Sequence, residues 1–260
     1  MRALWLADGE EFVPPGPEAF DLPAIFWEVT KPMVLIVLSI GIIMAFFLAA
    51  SRNMKIVPSK FQYIAESVYD FGRNNIAREQ IGSKDFMPYV PLIVSLFTFV
   101  LVNNIFGIIP IIQFPSMSHI GFPIALSVLI IYPLYHFVGF RRHGFTGYLK
   151  HQLMPPGVPG PIYVLLVPIE IFTKFIMNPI THGLRVFAAM FAGHLILLLF
   201  TLGGEFLLLH GGGLLHGVSV FAFAFAIAMT FLEALIMVLQ AYIFALLAAH
   251  YIGGALAEDH

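Results

Sequence analysis

Apolar runs of membrane length alternate along this chain with short polar breaks. "PMVLIVLSIGIIMAFFLAA", from Pro32 to Ala50, is charge-free and about as long as the ~20 residues that cross a bilayer as helix. It predicts a first span over 28–52. The run closes on "SRNMK", where Arg52 and Lys55 mark the cytoplasmic side by the positive-inside rule. Residues 1–27 then form an extracytoplasmic tail. The period changes over 58–84. Phe61, Ile64, Val68 and Phe71 recur at three- and four-residue spacing between charged positions, which predicts an amphipathic helix lying along the membrane surface. Two uncharged runs follow, a second span over 88–112 and a third over 121–141. Arg141 and Arg142 give a second cytoplasmic mark that agrees with the first. Residues 146–161, with Lys150 and several prolines, read as a cytoplasmic loop.

The last two stretches, 161–202 and 214–256, are each about twice the length one perpendicular span needs. Strong tilt or extension beyond the bilayer is implied. "LGGEFLLLHGGG" between them reads as an outer Gly-rich turn, and "AEDH" ends the chain inside. The pattern describes an all-α integral membrane protein with five membrane-embedded helices, the last two long and tilted. One amphipathic surface helix accompanies them, with the N-terminus outside and the C-terminus cytoplasmic. No internal repeat supports an inverted-repeat transporter plan.

Composition narrows the chemistry. Of 260 residues, 59% are hydrophobic and 11% charged, against roughly a quarter charged in soluble domains. The chain has no cysteine, which removes disulfides, thiolate zinc sites and Cys-ligated clusters. A net charge of −2 offers no footprint for nucleic acid. Phosphate-loop, metalloprotease and hydrolase motifs are absent, so neither a cofactor nor a metal is expected. The tail is acidic, with Asp8, Glu10, Glu11, Glu18 and Asp21, and lacks the basic start of a cleavable signal.

Function therefore rests on a few ionisable groups at membrane depth. Beyond Lys174 the one cation other than histidine is Arg185. A central arginine costs roughly 2.5–3.5 kcal/mol by insertion scales, and such residues mark ion or proton paths. His194 lies nine residues further along, about 13 Å nearer the outside and turned about 180° from Arg185. Glu233 precedes Gln240 by seven residues, about 10 Å nearer the outside on the returning helix and on Gln240's own face. If Arg185 and Gln240 share a depth, His194 and Glu233 do too, and an imidazole beside a carboxylate can relay protons near neutral pH. Asn103 and Asn104 are candidates for the same outer cavity, with simple packing as the competing reading. Glu170, about 22 Å inward of Arg185, and His250 could line an inner route, while a Glu170–Lys174 helix pair is the plainer account of the first. His182 and His216 read as structural groups.

"PITHGLRVFAAMFAGHLIL" and "LEALIMVLQAYIFALL", preceded by "NNIFGIIP", resemble the signature segments of subunit a of the F-type ATP synthase, the stator proton channel. The resemblance covers most of the chain after about residue 30. It implies long tilted helices against a rotating ring of c subunits, peripheral-stalk b-type subunits as further partners, and a bacterial plasma membrane rather than a mitochondrial inner membrane. The family's essential arginine falls on Arg185 and its partner-helix glutamine on Gln240. Many members carry an acid at the position of His194 and a histidine at that of Glu233, and others interchange them, as here. The family's usual asparagine four residues after the arginine is replaced by Ala189. The implied role is translocation through two offset half-channels, with no catalysis of its own. A secondary proton-coupled transporter using Arg185 to bind an anion is the alternative. A haem-binding subunit using His182, His194, His216 or His250 has no facing pair to support it.

Overall fold

The computed structural model describes residues 12–20, 27–52, 54–154 and 160–257. The acidic positions Asp8, Glu10, Glu11 and Asp21, most of the proline-rich stretch and the final Glu258–His260 lie outside the described residues. The described residues are helical and carry five helices long and apolar enough to cross a membrane.

Helix α1, Lys31–Ser51, has proline in its first turn, where the missing N–H costs nothing. It is apolar all round and buries only Pro32, Leu35 and Ser39, the signature of a helix bathed in lipid. Helix α2 covers 60–81 and starts on Ser59, whose hydroxyl accepts from the Gln62 N–H, a conventional N-cap. Its first half, Lys60–Asp70, exposes Phe61, Tyr63 and Ile64. Its second half widens into a π-type stretch, Phe71–Arg78, and buries Ile76 and Ala77 in the main core. The surface helix is thus half surface and half bundle. Alanine and glycine decide the division, since small residues let helices approach closely: Ala77 is fully buried, and a Cβ on Gly72 would strike Val94.

Helix α3, Met87–Ile105, stops earlier than the apolar run predicts, and the chain turns through 106–115. Helix α4 begins at Gly121 and continues to Leu153, with a break at Gly144 (φ 70°, ψ 169°). Glycine adopts positive φ without a Cβ clash, so the backbone folds back there. Tyr148 returns to cover Gly139, and 145–153, read from sequence as loop, is a short helical arm.

Helix α5, Tyr163–His210, and helix α6, Leu214–Leu256, pack against one another along much of their length. Pro168 and the wide turn Phe172–Met177 bend the start of α5, because proline removes an internal hydrogen bond. The turn expected over 203–213 is shorter than the sequence suggests. Helix continues to His210 and the reversal is confined to Gly211–Gly213, with Gly213 at φ 53°. Gly204 is a packing position against Ala222 and Phe223, not a breaker.

The main core lies where α2, α3, α4, α5 and α6 meet, around Ile93, Val100, Met190, Met237, Phe244 and Ile252. A second cluster, Phe20, Leu35, Phe106 and Phe114, ties part of the N-terminal segment to α1 and the turn after α3. Backbones also come close at Gly183, where an added Cβ would lie 2.7 Å from the Pro123 carbonyl oxygen. Gly183→Ala is therefore expected to overpack the α4–α5 crossing by about 1–3 kcal/mol and lower Tm in detergent. Gly217→Ala, whose methyl meets nothing within 4 Å, leaves Tm unchanged or raised; thermal unfolding followed by circular dichroism distinguishes the two.

Candidate functional site

Three contacts set the register between the antiparallel helices α5 and α6. The Ser219 hydroxyl donates to the Gly204 carbonyl at 2.7 Å. His194 Nδ1 lies 3.7 Å from Glu233 Oε1. His182 Nε2 lies 3.1 Å from the Phe244 carbonyl oxygen, which makes that nitrogen the donor, because a carbonyl only accepts. Positions between the last two contacts place Gln240 level with Arg185.

His194 and Glu233 are both buried, with 4% and 2% of their surface exposed. At 3.7 Å they are within ion-pair reach but beyond a direct hydrogen bond. Neither Glu233 oxygen nor His194 Nδ1 has a hydrogen-bond partner among the described residues. Buried polar groups are ordinarily paired, so a carboxylate and an imidazole left in this way are unusual for purely structural groups. Gly193 lies against the Glu233 side chain, and its lack of a side chain leaves the carboxylate room. Phe20 covers the pair from the N-terminal segment, its ring 5.9 Å from that of His194 and 4.6 Å from that of Phe191. Nothing in the residue pattern pointed to this cover, since the aromatics of the acidic tail follow no helical period.

The two asparagines part company. Asn104 is fully buried and donates to the carbonyl of Met237 at 3.3 Å, one helical turn from Glu233. Asn103 turns the other way and donates to the Ser39 hydroxyl at 2.9 Å and to the Phe99 carbonyl, tying α3 to α1. The packing reading therefore describes Asn103, which is not brought to the pair. Both carboxamide oxygens lack a partner among the described residues.

Arg185 stands on the opposite face of α5 from His194. It is exposed, in a stripe with Thr181, Ala188, Ala192 and Ile196, and the described residues give it no hydrogen bond or ion pair. Leu235, Val238 and Leu239 of α6 are exposed as well and line a groove with Phe71 and Glu79 of α2. Gln240 is half-buried with its Oε1 unpartnered. The candidate inner residues are not brought together: Glu170 pairs with Lys174 at 3.2 Å, whereas His250 is exposed and faces Gln80 at 3.3 Å. Ala189 is half-buried against the core and supplies no polar group.

A further polar cluster escaped the sequence reading. His136 Nδ1 lies 2.8 Å from the Tyr148 hydroxyl and stacks on Phe175, with Tyr132, Tyr135 and Tyr251 around it. The spacing of Tyr132, Tyr135 and His136 on one helical face was the available signal; the fold-back that delivers Tyr148 was not. Among the described residues no three His, Cys, Asp or Glu side chains gather to hold a metal.

These features define a multi-pass helical membrane protein that keeps a buried acid–imidazole pair on one side of a helix and a lone cation on the other. The sequence profile of the family described as ATP synthase A chain matches residues 33–253, and the chain belongs to that family. It is 45% identical to the ATP synthase subunit a of a Nocardioides species, over 98% of this chain and 96% of that one. It is 47% identical to that of Pseudarthrobacter chlorophenolicus (99% and 98%) and 49% identical to that of an Arthrobacter species (99% and 98%).

Neighbouring groups that share one proton should not respond independently to deletion. His194→Ala and Glu233→Ala are each expected to slow proton translocation, and the double variant to be little worse than the more damaged single one. Acid-driven fluorescence quenching in membrane vesicles supplies the rates for that cycle. Rates that multiply would separate the two groups.

Proposed function

We propose that the chain is the membrane stator of a rotary ATP synthase, held in a bacterial plasma membrane with its N-terminus outside and its C-terminus in the cytoplasm. It works against a ring of c subunits and is anchored by peripheral-stalk subunits. The observation that carries this reading is the two-sided use of helix α5: His194 buried beside Glu233, and Arg185 on the exposed apolar face.

In this reading protons enter from outside through the region of Glu233, His194 and Asn104. That no hydrogen-bond partner meets the carboxylate among the described residues suits groups that exchange protons with water, and histidine titrates in the required range. A proton leaving this pair neutralises a carboxylate on the ring, which can then turn into lipid. After nearly a full turn the carboxylate meets the inner half-channel and releases its proton to the cytoplasm. Glu170 and His250 lie towards that end. Their separate pairing, with Lys174 and Gln80, makes them at most separate points along it.

Arg185 stands between the two half-channels. Its guanidinium stays charged at any working pH, so it favours the ionised ring carboxylate and bars a direct leak of protons. The small side chains of Ala188 and Ala192 beside it would let another helix approach closely. Gln240, level with Arg185 and holding an unpartnered oxygen, can accept a hydrogen bond from the guanidinium in one rotor position. The membrane potential contributes roughly 2.3 kcal/mol per charge per 100 mV, so several protons must pass for each nucleotide made.

Arg185→Ala is expected to abolish coupled proton pumping and ATP synthesis while the complex still assembles. ATP-driven pumping in inverted vesicles, with subunit content checked by immunoblot, tests this; normal pumping in the variant would remove the proposed role. The purified chain alone, reconstituted in liposomes, is expected to conduct protons poorly because half of the site belongs to the ring. Substrate-dependent uptake by the isolated chain would favour the transporter alternative instead.

A further inference from the structure

The ends of three spans meet around a cavity of about 550 Å³. Lys84 and Asp85 immediately precede α3, Arg141 and Arg142 close the apolar part of α4, and Leu256 is the last residue of α6. We propose that this cavity binds one anionic phospholipid, with its phosphate held by Lys84, Arg141 and Arg142. The inference requires only that the chain spans a bilayer and uses none of the residues proposed for the proton path.

Charge is the first ground. Three cations and one acid, Asp85, line the cavity, so its lining is net positive. Guanidinium groups recognise phosphate oxygens through paired N–H donors, and basic pockets between span ends are suited to anionic head groups. Shape is the second. The other wall is made by Leu134, Phe137 and Val138 of α4, one and two helical turns before the arginines, hence on the membrane side of them. Phe137 is 63% exposed. A free phosphate has no use for that wall, whereas an acyl chain below a bound phosphate would lie along it. Tyr89, half-buried in the same lining, adds a hydroxyl at the boundary where amphipathic rings settle. A zwitterionic lipid would bring its own cation towards three others, which favours a head group of net negative charge.

A second cavity, between α1 and α2, makes the contrast. It has a similar volume, about 540 Å³, but is lined by Glu66 and Asp70, which would repel the same head group. Two cavities at the membrane-surface segments of one chain thus differ in sign.

The test uses the full chain purified in neutral detergent and stripped of co-purified lipid. Phosphatidylglycerol and phosphatidylcholine are added separately, and retained lipid is counted by native mass spectrometry. One phosphatidylglycerol is expected to bind about 30-fold more tightly than phosphatidylcholine, on the order that two net charges supply at a membrane surface. Millimolar inorganic phosphate should not displace it. Lys84→Gln with Arg141→Gln and Arg142→Gln should reduce retention to the phosphatidylcholine level, and Arg141→Glu alone, a single change at an exposed position, should weaken it in the same direction. Arg52→Gln with Lys55→Gln, which removes cations elsewhere, should leave it unchanged. Equal retention of the two lipids, or full retention by both the triple variant and Arg141→Glu, overturns the proposal. So does equal loss in the Arg52/Lys55 variant, which would assign the effect to general surface charge. Displacement by inorganic phosphate would assign the cavity to the free anion.

Discussion

The register between helices α5 and α6 is the constraint on which the rest of the molecule depends. Two long apolar helices in lipid have little hydrophobic reason to prefer one alignment over another, since the tails around them are as apolar as their side chains. Here polar contacts choose it. The Ser219 hydroxyl on the Gly204 carbonyl, His194 beside Glu233, and His182 on the Phe244 carbonyl lie at three levels along the pair, and sliding by one turn would leave every one of these buried groups without its partner. Gly204 also lets the second helix come close. With the alignment fixed, the levels of Arg185 and Gln240 follow, although neither makes a recorded contact with the other.

Burial then sorts the polar side chains by what they can tolerate. Several neutral donors inside the bundle are met by backbone carbonyls, as the hydroxyl of Thr98 is by Val94, that of Ser127 by Pro179 and the Asn104 amide by Met237. His182 makes one such bond and sits between Phe244 and Tyr251, which accounts for it as a structural histidine. Glu233 differs because a carboxylate can only accept while ionised, and no donor meets it among the described residues. The nearest group able to compensate an ionised Glu233 is the His194 imidazole 3.7 Å away, which is why the proposed function gives the two a shared role.

Much of this was legible in the sequence because membrane helices carry long, simple signals. Span number follows from run length, and the separation of Arg185 from His194 follows from the 3.6-residue period, which sends a nine-residue interval to the opposite face. What stayed hidden depended on single backbone angles or on contacts between distant segments. Gly144 and Gly203 look alike as letters. The first breaks its helix at φ 70°, and the second lies in unbroken helix, as does its neighbour Gly204, which is chosen by the Ala222–Phe223 surface across from it. Adjacent Asn103 and Asn104 could not be separated without knowing that α1 lies on one side of α3 and α6 on the other. The amphipathic period of α2 spoke for a surface helix throughout, yet Ile76 and Ala77 are at the centre of the core, because an apolar stripe does not say whether lipid or protein will cover it.

The arginines of this chain illustrate how depth decides a cation's partner. Arg141 and Arg142 stand at the end of the apolar part of their span, where phosphate head groups are within reach of a long side chain. Arg185 is 22 residues from the start of α5 and 25 from its end, or roughly 33 and 37 Å along the axis at 1.5 Å per residue. Both lengths exceed the roughly 30 Å hydrocarbon core, so with α5 centred in the bilayer Arg185 lies near mid-depth rather than at a head-group layer. Apolar residues, Ala188, Ala192, Ile196 and Leu199, continue from it on its own face towards His210, and the described residues of this chain offer it no carboxylate. Since burying an isolated charge in hydrocarbon is far costlier than burying a paired one, the proposed function supplies the counter-charge for Arg185 from another protein at the same depth. It must also be able to leave, because a permanent buried ion pair would lock the two surfaces together. A carboxylate that becomes neutral on taking a proton meets both requirements, and His194, nine residues further along the same helix, stands beside Glu233 of α6, where the proposed function has the proton arrive.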